Sequence, residues 1–335
     1  MPAPGARSPA AEPPLELVAR FKEALDRLWP EGGKLGLAVS GGPDSMAMLL
    51  LAEAAIPGQF EVATVDHGLR PESADECEMV ARICADRGIP CEVLPVEVGS
   101  GNLQAMARAA RYRALARWGE QQHLAAIATA HHADDQAETL LMRLNRGSGI
   151  RGLAGVRSRA HISGTDLILI RPVLRFRRAE LGEVVMRAGV APAIDSSNAD
   201  PSYDRVRIRN AIAEAEWLDP LAMAKSAELL AETEEALDFA ILQQWQRAVT
   251  DSGDGLRCYI DKAGIESTPR ALVIGVLGTI FGQLEAAPSD AELARLLDAL
   301  LAGDRMNLAG VQATPGSAGG ERLWFFEPEN PRRTR

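Results

Sequence analysis

The chain has 335 residues, 47% of them hydrophobic and 24% charged, with a net charge of −10. This is an ordinary globular composition with room for two cores, and it excludes a membrane span: the nearest apolar run, ALVIGVLGTIF, falls short of the roughly 18 residues a span requires. The four cysteines form no CxxC, so neither a zinc ribbon nor a redox dithiol is indicated.

The first segment, MPAPGARSPAAEPP (1–14), is rich in Pro and Ala and lacks an apolar centre. It predicts a disordered leader rather than a secretory signal, and hence a cytoplasmic protein. From 35 to 175, β-rich runs alternate with helical patterns. The strands are LGLAV (35–39), FEVATV (60–65), CEVLPVEV (91–98), AAIATA (125–130) and LILIRPVL (167–174). Between them lie SMAMLLLAEAA, PESADECEMVARICADRG with proline in its first turn, and NLQAMARAARYRALARWGEQ. Cys77 and Cys84 share a helical face with Val80 and read as small core residues. Strand, helix and strand at this spacing imply right-handed crossovers and a doubly wound α/β fold, a parallel sheet covered on both faces.

After about 215 the pattern turns helical, with a long amphipathic helix at 220–249 and two more near 268–284 and 289–302. MNLAGVQATPGSAGGERLWFFEPE then reads as a hairpin across a Gly-rich turn. The predicted organisation is a leader (1–14), an α/β domain (15–215) and a smaller, mainly helical domain (216–335) ending in that hairpin.

Ligands of open parallel sheets bind outside the carboxyl ends of the strands. Three polar clusters fall at such ends: SGGPDS (40–45), DHGLR (66–70) and HHADDQAET (131–139). In the first, Gly41 and Gly42 allow a tight turn that exposes backbone N–H groups to a phosphate, and Ser40 and Ser45 add hydroxyls. Pro43 opens a helix whose positive end faces the anion. Asp44, at that helix start, would be repelled by phosphate unless a cation lay between them, which points to Mg²⁺. The lysine of a Walker loop is missing. In the third cluster Asp135 and Glu138 lie three apart at a helix N-terminus, with Asp134 just before them, a set suited either to metal and proton chemistry or to capping.

The charge is unevenly spread. Residues 143–209 hold thirteen arginines, no lysine and six acids, a local +7 against −17 for the remainder. Such a window is either a phosphate-binding face or a surface of ion pairs.

SGGxDS resembles the loop of the N-type ATP pyrophosphatases, which cleave ATP between the α- and β-phosphates and activate a substrate as its adenylate. Together with VDHGLRPES, GNLQAMARAARYRAL, ATAHHADDQAETLLMRLNRGSGIRGLAG, RPVLRFRR and DSSNADPSYDRVRIRN, it resembles the tRNA(Ile)-lysidine synthetases over residues 35–212. One departure is Arg205-Val206-Arg207, where the family reads Arg-Asn-Arg and carries a side-chain amide.

The resemblance implies ligation of free L-lysine to C2 of the wobble cytidine of tRNA(Ile), with ATP and Mg²⁺. ATP would meet Ser40, Gly41, Gly42, Pro43, Asp44, Ser45, Asp66 and His67, and Arg70 would reach phosphate. Asp44, His132, Asp134 and Asp135 are the expected catalytic residues, with metal on Asp44 and Asp135. His131 stands beside them as a second candidate at the strand end. Arg143, Arg146, Arg175, Arg205, Arg207 and Arg209 are expected to hold the anticodon region, with Arg171, Arg177 and Arg178 flanking the last strand. Arg108, Arg111 and Tyr112 either join the site or cover a helix face. A homodimer is compatible with the sequence and not specified by it. Two rivals remain: a tRNA 2-thiolation enzyme, disfavoured by the lack of CxxC, and a non-catalytic RNA-binding protein, which would not need a pyrophosphate loop.

Overall fold

The computed structural model describes residues 11–69, 72–99, 103–193, 202–251, 256–259, 268–318 and 321–329. The chain divides into two compact units, Met1–Ala231 and Glu232–Arg335.

The first unit is built on a six-stranded sheet of order β3-β2-β1-β4-β6-β5. Its strands are β1 (Leu35–Ala38), β2 (Phe60–Asp66), β3 (Cys91–Pro95), β4 (Ala126–Ala128), β5 (Arg159–His161) and β6 (Ile168–Ile170). The five expected strands pair in parallel. β5 adds an antiparallel edge that the sequence reading did not include. Three residues, RAH, carry no apolar alternation from which a strand is recognised.

Both faces are covered. Leu35, Leu37 and Val39 pack with α1 (Leu15–Leu28), α2 (Pro43–Ala55), α3 (Glu72–Asp86) and α7 (Arg178–Arg187). On the other face, Ala63, Ile127 and Leu169 pack with α4 (Leu103–Gln121). Trp118 of α4 lies so close to β1 that a Cβ on Gly36 would come within 2.7 Å of its ring. Cys77, Val80 and Cys84 are buried together on α3, as their spacing predicts. α1 is a further addition. Leu17, Phe21, Ala24, Leu25 and Leu28 are buried along one stripe, and a fully covered side chain such as Phe21 contributes about 1.5–3 kcal/mol. The remaining helices of this unit are α5 (Ala133–Asn145), α6 (Ile150–Leu153) and α8 (Asp204–Glu214), and α9 (Pro220–Ala248) starts here and continues along the chain into the second unit.

In the second unit, α10 (Arg270–Gln283) and α11 (Asp290–Ala302) share an apolar core with the expected hairpin, β10 (Val311–Ala318) and β11 (Glu321–Pro328). The hairpin is embedded in an antiparallel sheet of order β7-β8-β11-β10-β9, with β7 (Val249–Asp251), β8 (Leu256–Tyr259) and β9 (Met306–Leu308). Ser289 and Glu292 cap α11 reciprocally, and Gly303 ends it in the left-handed conformation.

Candidate active site

The strand order reverses between β1 and β4, and the two richest motifs leave the sheet at that point. A crevice at such a reversal is where open α/β sheets bind ligands.

The loop after β1 turns through Gly41 at φ +83°, where a Cβ would come 3.0 Å from Met79 Cε. Gly42 is the N-cap of α2 in an ordinary extended conformation and Pro43 follows. Ser45 is buried, and its hydroxyl is used within the loop. It donates to the Gly42 carbonyl at 2.9 Å and accepts from the Ser40 N–H at 3.2 Å. Ser45 therefore staples the turn shut while the first-turn N–H groups of α2 remain without intrahelical acceptors. The Gly41 carbonyl accepts from Ala193 N–H at 2.9 Å, tying the chain after α7 to the loop.

His132, fully buried, is the N-cap of α5. Its Nε2 lies 3.4 Å from Asp44 Oδ2 and 3.6 Å from Asp135 Oδ2, and its Nδ1 is 3.6 Å from Asp134 Oδ2. Burial pushes the imidazole toward the neutral form, but the Asp44 and Asp135 carboxylates outweigh it and raise its pKa above the usual value. His131 is the opposite case. Burial, followed by the charges of Arg171, Arg108 and Arg111, drives it down to about 3, so it is neutral at physiological pH, with Nδ1 3.1 Å from Thr129 Oγ1. Arg108 and Arg111, which also stack on the Tyr112 ring at 5.0 and 5.8 Å, thus bear on the site.

The two adjacent aspartates cap different helices. Asp135 Oδ2 accepts the His132 N–H at 3.1 Å, at the head of its own helix. Asp134 Oδ2 accepts the N–H of Arg178, the first residue of α7, at 2.8 Å. Asp66 Oδ1 accepts from Gly68 N–H at 2.9 Å and Ser73 Oγ at 2.7 Å, and these bonds lower its pKa. His67 follows it directly on the chain. Arg70 and residues 195–200 of the DSSNAD stretch lie outside the described residues.

Glu138 is the centre of the cationic side. It is 1% exposed, yet its Oε1 accepts from Arg178 Nη2 at 3.0 Å and Arg209 Nε at 2.7 Å, and its Oε2 accepts from Arg205 Nε at 2.7 Å. Burial alone would raise this carboxyl; Arg209 and Arg205 reverse that and hold it at about 2. Arg205 also reaches Asp135 Oδ1, at 2.8 Å. One buried carboxylate thereby joins α5, α7 and α8.

Residues 15–216 match a family model described as a PP-loop domain. The chain is 45% identical to the tRNA(Ile)-lysidine synthase of Novosphingobium aromaticivorans over 92% of its own length and 93% of that protein's. It is 38% identical to the one of Zymomonas mobilis, over 93% and 94%. The chain belongs to the tRNA(Ile)-lysidine synthase family. Among solved structures, the U34-tRNA thiolase NcsA of Methanococcus maripaludis superposes with a TM-score of 0.53 at 16% identity, covering 65% of this chain and 80% of that one, a likeness of fold alone.

Within this member of the lysidine synthase family, the expected RNA-facing arginines separate into distinct groups. Arg205 and Arg209 are committed to Glu138. Arg143 donates to the carbonyls of Gly152 and Gly155, and Arg175 pairs with Glu228. Arg146 and Arg207 are the open ones: each side chain is 63% exposed, and both share Asp204. Arg171 is buried and donates to the Arg157 carbonyl. Arg177 lies between Asp134 and Asp219.

The structure also brings in Gln136, absent from the expected set. It grips the Val156 backbone with both amide atoms, at 2.8 and 2.7 Å, and Gly155 has no room for a Cβ beside it. A glutamine among acids in HHADDQAET was its only sequence signal.

For Mg²⁺, the decisive observation is Asp44 Oδ1, which is buried without a hydrogen-bond partner. Such an oxygen is costly unless a cation or donor meets it, so Asp44 fits a metal at the phosphate loop. Among the described residues no three His, Cys, Asp or Glu side chains could hold a metal by themselves.

Proposed function

We propose that this chain is a carbon–nitrogen ligase that joins free L-lysine to C2 of the wobble cytidine of tRNA(Ile) through an adenylated tRNA. The observation that carries the reading is His132, buried between Asp44 of the phosphate loop and Asp135 of the second motif, so that the two motifs of the resemblance share one crevice.

In the first step the cytidine C2 oxygen attacks the α-phosphorus of ATP and pyrophosphate leaves. The N–H groups at the head of α2, with Ser40, Gly41, Gly42, Pro43 and Ser45 shaping the loop, hold the leaving pyrophosphate. Asp44 and Asp135 are the groups that would hold Mg²⁺, which when bound would neutralise charge gathering on the phosphates. Asp66 and His67, at the end of β2, border the adenosine. In the second step the ε-amine of lysine attacks C2, AMP leaves and a proton is released. Free lysine titrates near 10.4, so the amine needs an acceptor for its proton, a role that falls to the Asp134–Asp135 pair. His132 fixes the distance between phosphate loop and aspartates.

The anticodon region docks on the arginine-bearing side. Arg146 and Arg207 meet backbone phosphates directly, while Arg143, Arg175, Arg205 and Arg209 shape the surface beneath. The second unit is assigned to the rest of the tRNA. No helix among the described residues is long and apolar enough to cross a membrane.

The test is incubation of purified protein with ATP, labelled lysine and tRNA(Ile), followed by nucleoside mass analysis. The reading expects lysidine together with equimolar AMP and pyrophosphate, all dependent on tRNA. AMP release with no lysine incorporated, or sulfur in place of lysine, overturns it.

A further inference from the structure

We infer that Arg20, on the N-terminal helix and outside every motif, is a positioning residue for the aspartate end of the site; the inference rests on the function proposed above. The segment after β6 delivers Phe176 and Arg178 to α5 and opens α7 at Arg177. The Phe176 carbonyl accepts the N–H of Ala133, the first residue of α5, at 2.9 Å. The Arg178 N–H donates to Asp134, and the Arg178 guanidinium donates to Glu138. Arg177 donates its N–H to Glu180 Oε2 at 2.7 Å, which starts α7.

Arg20 grips this segment in three ways. Its Nη2 donates to the Arg175 carbonyl at 3.0 Å, its Nη1 pairs with Glu180 Oε1, and its Cζ sits 4.5 Å from the centre of the Phe176 ring. The grip has a firm base, because Leu17, Phe21 and Leu25 on the same helix are buried in the core. Only a guanidinium can fork onto a carbonyl and a carboxylate while stacking on a ring. α1 thus holds in register the stretch that caps α5, engages Asp134 and partners Glu138. The phosphate loop is closed within its own turn by Ser45 and makes no hydrogen bond to Arg20.

The test compares wild type with Arg20→Met, Arg20→Lys, Glu180→Gln and the double change Arg20→Met/Glu180→Gln. Wild-type lysidine formation decides the proposed function, whereas backbone amide exchange reads the role of Arg20 whether or not that function holds. In Arg20→Met, exchange at residues 131–138 and 175–180 is expected to accelerate about tenfold, the scale of one lost charged contact, with residues 40–45 unchanged. Turnover should fall with the KM for ATP unaltered. Glu180→Gln should reproduce the pattern, the double variant should lose no more than the worse single one, and Arg20→Lys should keep part of the protection that Arg20→Met loses. If Arg20→Met does not fold, Arg20→Lys and Glu180→Gln carry the comparison. Unchanged exchange in both segments, or acceleration spread equally to residues 40–45, overturns the inference.

Discussion

Replacing Glu138 by glutamine keeps the side chain's size and removes the charge on which Arg178, Arg205 and Arg209 converge. The carboxyl is 1% exposed and held at about 2, and the shift from an ordinary glutamate amounts to about 3 kcal/mol of folded-state preference for the anion. The three guanidiniums are 34%, 46% and 26% exposed, so water recovers part of what they lose, and the expected destabilisation is about 2–3 kcal/mol. For a unit of this size that corresponds to a fall of roughly 4–10 °C in Tm.

The pH dependence has a definite sign. Because the folded value lies below the unfolded one, the contribution is complete above the ordinary glutamate pKa and is lost as pH falls toward about 2. Urea unfolding of the transition containing the first unit, followed for both proteins from pH 7.5 downward, should show a constant gap to about pH 5 that narrows below it. A gap under about 0.5 kcal/mol at pH 7.5 would mean that the cost of burying the cage cancels its attraction. A gap that stayed constant down to pH 3 would show that charge is not its origin.

Asp44→Ala should retain the fold by circular dichroism and lose tRNA-dependent AMP release; full activity at ordinary Mg²⁺ would remove Asp44 from the metal role. Asp135→Asn should lower lysidine formation by about a hundredfold or more, and an active variant would leave Asp135 as a cap and an anchor for Arg205. Arg146→Ala with Arg207→Ala should weaken tRNA binding and flatten its salt dependence by about two counterions, with ATP affinity unchanged. The same change at the exposed Arg27 and Arg82 serves as control, and equal losses from both pairs would make net charge, not a local face, the cause. Arg205 is unsuitable for this test, since it also holds Asp135 and Glu138.

Local pattern alone determined much of this protein. Alternating β-rich runs and helical stripes specify the parallel strands, because each residue's face is set by a period of two or 3.6. SGGPDS and HHADDQAET announce their place because a strand-to-helix joint rich in glycine or acid has few other uses. The stripe of α1 from Leu17 to Leu28 is equally periodic and carries the same signal, although a Pro/Ala-rich segment adjoins it. What the sequence did not carry is which charge meets which. Arg209 lies 71 positions from Glu138, and only the docking of α8 on α5 and α7 joins them. The same docking turns two expected RNA contacts, Arg205 and Arg209, into structural pairs. Arg143 and Arg175 are taken up by the Gly152 and Gly155 carbonyls and by Glu228, and Arg146 and Arg207 stay the most exposed of the set. Adjacent Asp134 and Asp135 look alike in the chain, yet one caps α7 and the other α5, because neighbouring side chains at a helix start point to different partners. Periodicity reports which face is buried; the partner across that face is decided by the fold.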